Sequence, residues 1–160
     1  MLNGLVVNGY GTERWYKDDQ LHREDGPALE FVNGNKEWYL NGHLHRESGP
    51  AVEWASGLTE WYYKGVFAGR GDKPDPALWE RVTSGPLNGC IVDCNGYKYW
   101  YKDDQLHRED GPAIEYKGGT KQWYLYGMNL GWGAEGFWKM WEWLTDEQRS
   151  NPNLLKHLPR

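Results

Sequence analysis

The chain has 160 residues, enough for one domain or two small units, and a formal net charge of −5. This charge argues against binding to long nucleic acids, because such binding draws on clustered Lys and Arg. Aromatic residues make up 16% of the chain, with 11 Trp and 11 Tyr, and its 21 Gly residues indicate many tight turns.

Membrane and metal partners are not expected from the sequence. No apolar run approaches the roughly 20 residues of a membrane span, and the N-terminal segment lacks the pattern of a signal peptide. We therefore expect a cytoplasmic protein. Cys90 and Cys94 fit neither a CxxC redox pair nor a zinc knuckle. We expect them to be small packing residues, with no metal and no other cofactor bound.

The chain contains a repeated sequence. The segment Trp15–Ala28 is identical to Trp100–Ala113, which lies 85 residues further along. A shorter period of 23 residues separates successive Trp-Tyr pairs, at Trp15-Tyr16, Trp38-Tyr39 and Trp61-Tyr62 and again at Trp100-Tyr101 and Trp123-Tyr124. Such a period is typical of one supersecondary unit that buries its face against its neighbours. We therefore predict an internal duplication, with repeat halves over residues 1–86 and 87–160.

Each full repeat is predicted to be one antiparallel hairpin. In residues 35–57, Asn41-Gly42 is a strong signal for a two-residue turn, because both residues tolerate positive φ. The second strand runs from about His43 to Trp54 and should be interrupted at Glu47–Pro50, because Pro cannot donate to a ladder. In the last hairpin of each half, the LHRE-GPA string is replaced by Val66–Gly69 and Met128–Gly131.

A helix is predicted to close each half. Asp75 is a candidate N-cap followed by Pro76, and the second helix is expected over residues 137–145. Its apolar stripe should dock on the sheet, whereas Trp138 and Trp143 fall outside that stripe. The stripe consists of Phe137, Met140, Trp141 and Leu144. A capping box from Thr145 to Gln148 predicts a further short helix, and the tail from Ser150 should be loosely held.

The 23-residue period, the W-Y-x-x-G hairpin and the L-H-x-x-x-G-P-A segment resemble a variant of the MORN repeat. The string LHR[ED]xGPA also resembles repeat proteins of large tailed bacteriophages and other large DNA viruses. The resemblance covers residues 12–64 and 97–127 and excludes the helices. It implies a mainly β fold, an antiparallel hairpin meander of MORN-like repeats, used as a binding scaffold. The chain departs from MORN where Arg-Glu-x-Gly-Pro replaces Gly-x-Gly.

The copied His-Arg pairs allow two interpretations. In the first, they form a row of anion-binding groups able to hold phosphates or carboxylates. In the second, which we favour, each Arg pairs within the fold with the Glu two residues after the repeat's Ala, at Glu30, Glu53 or Glu115. The His-Arg pairs are His22 and Arg23, His45 and Arg46, and His107 and Arg108.

Two groups of Trp residues carry different expectations. Those at the repeat position, from Trp15 to Trp123, are expected to form the core, with a base-stacking platform as the alternative. Trp132, Trp138 and Trp143 lie outside the repeat register and are candidates for a partner-binding surface, because no repeat rule requires a Trp there.

The sequence favours a non-enzymatic module that binds a host or cognate protein. No Ser-His-Asp order, phosphate-cradling loop or metal-ligand cluster is present in it. A viral origin would make the protein an inhibitor of a host defence system or host enzyme, acting in the host cytoplasm. One alternative is a sponge that sequesters an anionic nucleotide signal. Another is a structural module of a larger assembly, which would associate through open sheet edges. The oligomeric state stays open.

Overall fold

The computed structural model describes residues 1–159 and is mainly β, with antiparallel sheets, as the sequence predicts. By contacts between Cα atoms the chain divides into two units, one over Met1–Ser84 and one that begins at Gly85. Within residues 1–159, no helix has both the length and the apolar character needed to cross a membrane.

The first unit contains one large antiparallel sheet, one separate hairpin and one helix. In chain order its elements are β1 (Gly4–Val7), β2 (Glu13–Lys17), β3 (Gln20–Leu21), β4 (Leu29–Glu30), β5 (Lys36–Glu37), β6 (Tyr39–Leu40), β7 (His43–Leu44), β8 (Val52–Glu53), β9 (Thr59–Tyr63), β10 (Val66–Arg70) and α1 (Pro76–Thr83). The sheet follows the order β1-β2-β4-β5-β8-β9-β10, with β3 paired to β2, and β6 pairs with β7.

The second unit has a similar sheet with one hairpin fewer and has three helices in place of one. Its elements are β11 (Gly89–Val92), β12 (Lys98–Lys102), β13 (Gln105–Leu106), β14 (Ile114–Glu115), β15 (Lys121–Leu125), β16 (Met128–Trp132), α2 (Gly133–Trp143), α3 (Asp146–Arg149) and α4 (Pro152–Leu155). The sheet order is β11-β12-β14-β15-β16, with β13 paired to β12.

The predicted hairpin turn is confirmed. Leu40 pairs with His43 across Asn41-Gly42, and these two residues have φ values of 49° and 76°. Positive φ at both central positions lets the turn match the twist of the strands. Tyr126-Gly127 has the same geometry, with φ values of 48° and 75°.

The interruption of the second strand is also confirmed. Strand β2 pairs with both β3 and β4. The chain leaves the ladder after His22 and returns to it at Ala28, and both of these residues bond to Trp15. The Trp15 amide donates to the Ala28 carbonyl at 2.8 Å, and its carbonyl accepts from the His22 amide at 2.9 Å. The equivalent bonds recur at Trp38 and at Trp100.

The helices follow the sequence signals, with one shift in position. The Asp75 side chain accepts from the Leu78 amide at 2.8 Å, which confirms the predicted N-cap of α1. Helix α2 begins at Gly133, four residues before the predicted start. A Cβ at Gly136 would lie 2.5 Å from a ring carbon of Trp123, so glycine lets this first turn approach the sheet. The predicted stripe docks with Phe137, Met140 and Leu144 buried.

Two smaller expectations were wrong. Over Pro152–Leu155 the tail is not loosely held, because α4 places the Leu154 side chain, 0% exposed, in the cluster with Phe137 and Met140. The Asn151 side chain caps this helix, and Pro152 begins it. Cys90 and Cys94 are exposed rather than packed.

Replacing Leu154 with Ala should therefore lower the free energy of unfolding by about 2–5 kcal/mol, since it leaves a cavity in the core of the second unit. The change is measured by urea unfolding followed by Trp fluorescence. The neighbouring Leu155 is 40% exposed, so Leu155→Ala is the matched control and should change stability by no more than about 0.5 kcal/mol. Equal effects of the two substitutions would contradict the placement of Leu154.

Candidate functional site

The repeat Arg residues stack on the repeat Trp rings. The guanidinium carbon of Arg46 lies 3.9 Å from the ring centroid of Trp38, and Arg108 lies 3.9 Å from the centroid of Trp100. Arg23 covers Trp15 in the same way at 4.3 Å. Trp123 is fully buried, whereas these three rings are half-buried. The expectation of a uniform Trp core is therefore wrong for these positions and for Trp61, which is also half-buried. A guanidinium lies over each of the first three rings.

The predicted Arg–Glu pairs are present in all three full repeats. Arg46 Nη1 lies 2.6 Å from Glu53 Oε1. The other two pairs are Arg108 with Glu115 at 3.3 Å and Arg23 with Glu30 at 3.8 Å. Each guanidinium also donates to the carbonyl of the repeat Pro, at Pro27, Pro50 and Pro112. An anion bound by these Arg residues would have to compete with these acceptors, so the anion-binding interpretation stays a prediction.

The repeat Gly leaves room for the stacked guanidinium. A Cβ at Gly111 would lie 2.8 Å from the guanidinium carbon of Arg108, and a Cβ at Gly49 would lie 3.1 Å from that of Arg46. The guanidinium is therefore held between an indole ring and the backbone of the Gly. This close approach accounts for Gly before Pro in the copied string.

The repeat His joins each loop to the turn of the next hairpin. Nδ1 of His45 accepts from the Lys64 amide at 3.1 Å, and Nδ1 of His107 accepts from the Tyr126 amide at 3.0 Å. His22 makes the same contact with the Asn41 amide at 3.1 Å. An accepting Nδ1 carries no proton, so at His45 and His107 these contacts select the neutral imidazole with its proton on Nε2.

Burial lowers the pKa of the His107 imidazole. The carboxylate of Glu109 opposes this shift, and the charge of Lys102 acts in the same direction as burial. Burial lowers the pKa of His45 as well. Both imidazoles are therefore held neutral, in the state that their contacts with the turn amides require.

The out-of-register Trp residues are all exposed. Trp132 stacks on Tyr116 at 5.7 Å, and Trp138 contacts Phe137 edge-on at 5.0 Å. Trp143 is the most exposed of the three, at 63%. Trp138 and Trp143 are five residues apart on α2, which is about 140° around the helix axis. They therefore flank the buried stripe of α2 on opposite sides.

Trp143 lies at the edge of a pocket within the second unit. The pocket has a volume of about 140 Å³. One wall comes from the turn between β15 and β16, and the other comes from the end of α2 and from α3. Its lining residues are Glu109, Leu125, Tyr126, Met128, Trp143, Leu144 and Gln148. A carboxylate thus lies among aromatic and aliphatic side chains.

Neutral groups surround the Glu109 carboxylate. The Gln148 side-chain amide donates to one oxygen at 2.9 Å. The other oxygen lies 3.4 Å from His107 Nε2 and 3.5 Å from the Tyr126 hydroxyl. The side chain is 37% exposed, whereas the equivalent side chains of Glu24 and Glu47 are 76% and 77% exposed. The pocket therefore presents a partly desolvated negative charge.

Sequence reasoning singled out Trp143 but missed the rest of the pocket. Glu109 belongs to the copied string, where it occupies the same position as the exposed Glu24 of the first segment. Tyr126 was a usable signal, because a bulky residue at a left-handed turn position is uncommon. Asn41 occupies the same position in the first half. Gln148 was noticed only as part of the capping box, which the structure confirms.

No protein-family model matches the chain. Likewise, no curated protein matches it closely enough to count as a relative.

Among residues 1–159, no three His, Cys, Asp or Glu side chains are grouped so that they could hold a metal ion.

Replacing Gly111 with Ala should lower the free energy of unfolding by about 1–3 kcal/mol, since the new methyl group displaces the Arg108 guanidinium from its acceptors. Gly118 has open space around its Cβ position and no positive φ. Gly118→Ala is therefore the matched control and should be neutral or stabilising by about 0.4–1 kcal/mol. Chemical denaturation of both variants measures the difference, and equal values would show that the Gly111 contact is unimportant.

The neutral His107 predicts a pH-dependent stability. Its folded-state pKa lies below the unfolded value of about 6.5, so its contribution is complete above pH 6.5 and is lost as the pH falls through the folded value. Urea unfolding at about pH 7.5 and 5.5 should show a smaller pH effect in His107→Asn, whose amide oxygen can accept the Tyr126 amide without titrating.

The comparison with His107→Ala separates titration from hydrogen bonding. This variant should also lose the pH effect of His107, but it should be less stable at both pH values, because the Tyr126 amide lacks its acceptor. An unchanged pH effect in both variants would rule out a role for His107 in the acid sensitivity of the fold.

Proposed function

We propose that the protein is a non-enzymatic binding module that engages a partner protein through the second unit. The proposed architecture is an internally duplicated array of MORN-like repeats. On the proposed viral origin, the module is a phage-encoded inhibitor of a host defence system or host enzyme. The proposed contact surface includes Trp132, Trp138 and Trp143.

The observation that carries this proposal is the exposure of three large rings at positions that the repeat does not use. Trp132, Trp138 and Trp143 are 52%, 46% and 63% exposed. Trp at the centre of an interface contributes more binding energy than most other residues. Exposed Trp is costly in contact with water, and large exposed apolar groups mark interaction sites. All three rings lie on α2 or on the residue just before it.

The contacts of the copied string support a structural role for it. Its Arg, Gly, Pro and His residues make equivalent contacts at Arg23, Arg46 and Arg108 and at the three repeat His residues. These contacts satisfy the charges and hydrogen-bonding groups that a nucleotide sponge would offer to its ligand. The Arg and His residues of the string are therefore assigned to the architecture, and partner binding to groups that these contacts leave accessible.

The test is affinity capture from bacterial lysate with quantitative mass spectrometry. The variant carries Trp132→Ala, Trp138→Ala and Trp143→Ala together. We expect proteins enriched by the unaltered chain to fall by at least about tenfold, since loss of one hot-spot residue alone costs about 2 kcal/mol. Because Trp132 and Trp138 pack on Tyr116 and Phe137, capture is measured well below the unfolding midpoint of the variant, so that loss of capture reports loss of the surface and not loss of the fold.

The matched control is Trp54→Ala, which removes a Trp that is 36% exposed in the first unit. This variant should capture the same proteins as the unaltered chain. Equal capture by the triple variant and the unaltered chain would refute the proposed surface.

A further inference from the structure

The pocket beside Trp143 presents a carboxylate without a Lys or Arg partner among the described residues. Among residues 1–159, Glu109 forms no ion pair with Lys or Arg, and its polar neighbours are His107, Tyr126 and Gln148. Lys102 lies near the pocket, 5.4 Å from the centroid of the Tyr126 ring, but it is directed at that ring. A partly desolvated carboxylate without a cation gains more from an incoming positive charge than an exposed one does.

The same protein shows which group occupies such a site. In each full repeat, an indole ring and a carboxylate together hold an Arg guanidinium, as in Trp38, Glu53 and Arg46. Trp143 and Glu109 both line the pocket and can supply the same two groups, an indole ring and a carboxylate. An Arg side chain from outside would complete the combination.

We propose that this pocket binds an arginine side chain of the partner protein. The inference rests on the proposed function and names the chemistry of one contact within it. Leu125, Met128 and Leu144 line the pocket and suit the methylene groups of the Arg stem. The Glu109 carboxylate accepts hydrogen bonds from the guanidinium, and the exposed Trp143 ring provides a stacking face.

Arginine fits the pocket better than lysine. A guanidinium is planar, stacks on aromatic rings and donates two parallel hydrogen bonds to a carboxylate, whereas an ammonium group is compact and more strongly hydrated. The pocket volume of about 140 Å³ is close to that of a cavity of about 150 Å³ that holds benzene. One planar group with part of its stem therefore fills it.

The test is an NMR titration of the ¹⁵N-labelled chain with N-acetyl-arginine amide. The reporter is the indole N–H resonance of Trp143, assigned with Trp143→Phe. We expect a saturable shift with a Kd in the range of about 1–10 mM, and little shift with the neutral isostere N-acetyl-citrulline amide. N-acetyl-lysine amide, with the same charge, should bind more weakly.

Glu109→Gln should weaken arginine binding by about tenfold or more, since it removes the charge and keeps an acceptor for Gln148. Glu47→Gln, at the same repeat position in the first unit, is the matched control and should leave binding unchanged. A second variant, Trp143→Ala, removes an exposed ring and should also weaken binding, followed through the side-chain amide resonance of Gln148.

Three results would overturn the inference. They are no shift up to about 50 mM arginine amide, equal shifts with citrulline, and equal arginine binding by Glu109→Gln and the unaltered chain. Lysine binding as tight as arginine binding would overturn the preference for a guanidinium. Each result leaves the proposed function standing, because the capture experiment with the Trp variants tests that function without the arginine probe.

Discussion

Each full repeat depends on one guanidinium group held between an indole ring and a glycine backbone. The strand must leave its ladder so that the Arg can reach back over the Trp of the same repeat, as Arg46 does over Trp38. Once it has done so, the Glu after the loop and the Pro carbonyl can satisfy the charge. A half-buried Arg without these acceptors would cost more than its stacking returns. The loop, the Gly-Pro pair and the following Glu therefore act as one unit.

The contacts between repeats are of a different kind. Nδ1 of His45 and Nδ1 of His107 accept from the turn amides of Lys64 and Tyr126 in the next hairpin, while Nε2 of each ring faces the Glu of its own loop. In the second unit this link has an added effect, because the Tyr126 ring lies 4.2 Å from the His107 ring and its hydroxyl faces Glu109. The residue that completes the turn thus also shapes the pocket. Tyr126, with a φ of 48°, therefore belongs both to the hairpin turn and to the candidate site. Backbone strain of this kind is common at functional sites.

Much of the fold could be predicted because its signals are local. Turn residues such as Asn41-Gly42, the N-cap Asp75 and the spacing of the α2 stripe each act within a few positions of the chain. The burial of Leu154 could not be predicted, because it depends on how α4 returns to a core made mainly by α2. The pocket was missed for the same reason. Glu109 and Gln148 are 39 residues apart, and nothing in the copied string distinguishes Glu109 from the exposed Glu24.

The link between each His and the following turn has a consequence for how such a chain can change length. Every full repeat offers one imidazole to the turn amide of the next hairpin, at Asn41, Lys64 or Tyr126. In the first full repeat of each unit, the corresponding turn amide donates instead to an Asn side chain, Asn3 or Asn88. Gain or loss of a whole 23-residue segment would therefore leave each remaining contact with a partner of the same kind. Gain or loss of a part of a segment would leave an amide or an imidazole unmatched. The two halves, with two full repeats and one, differ by one such permitted step.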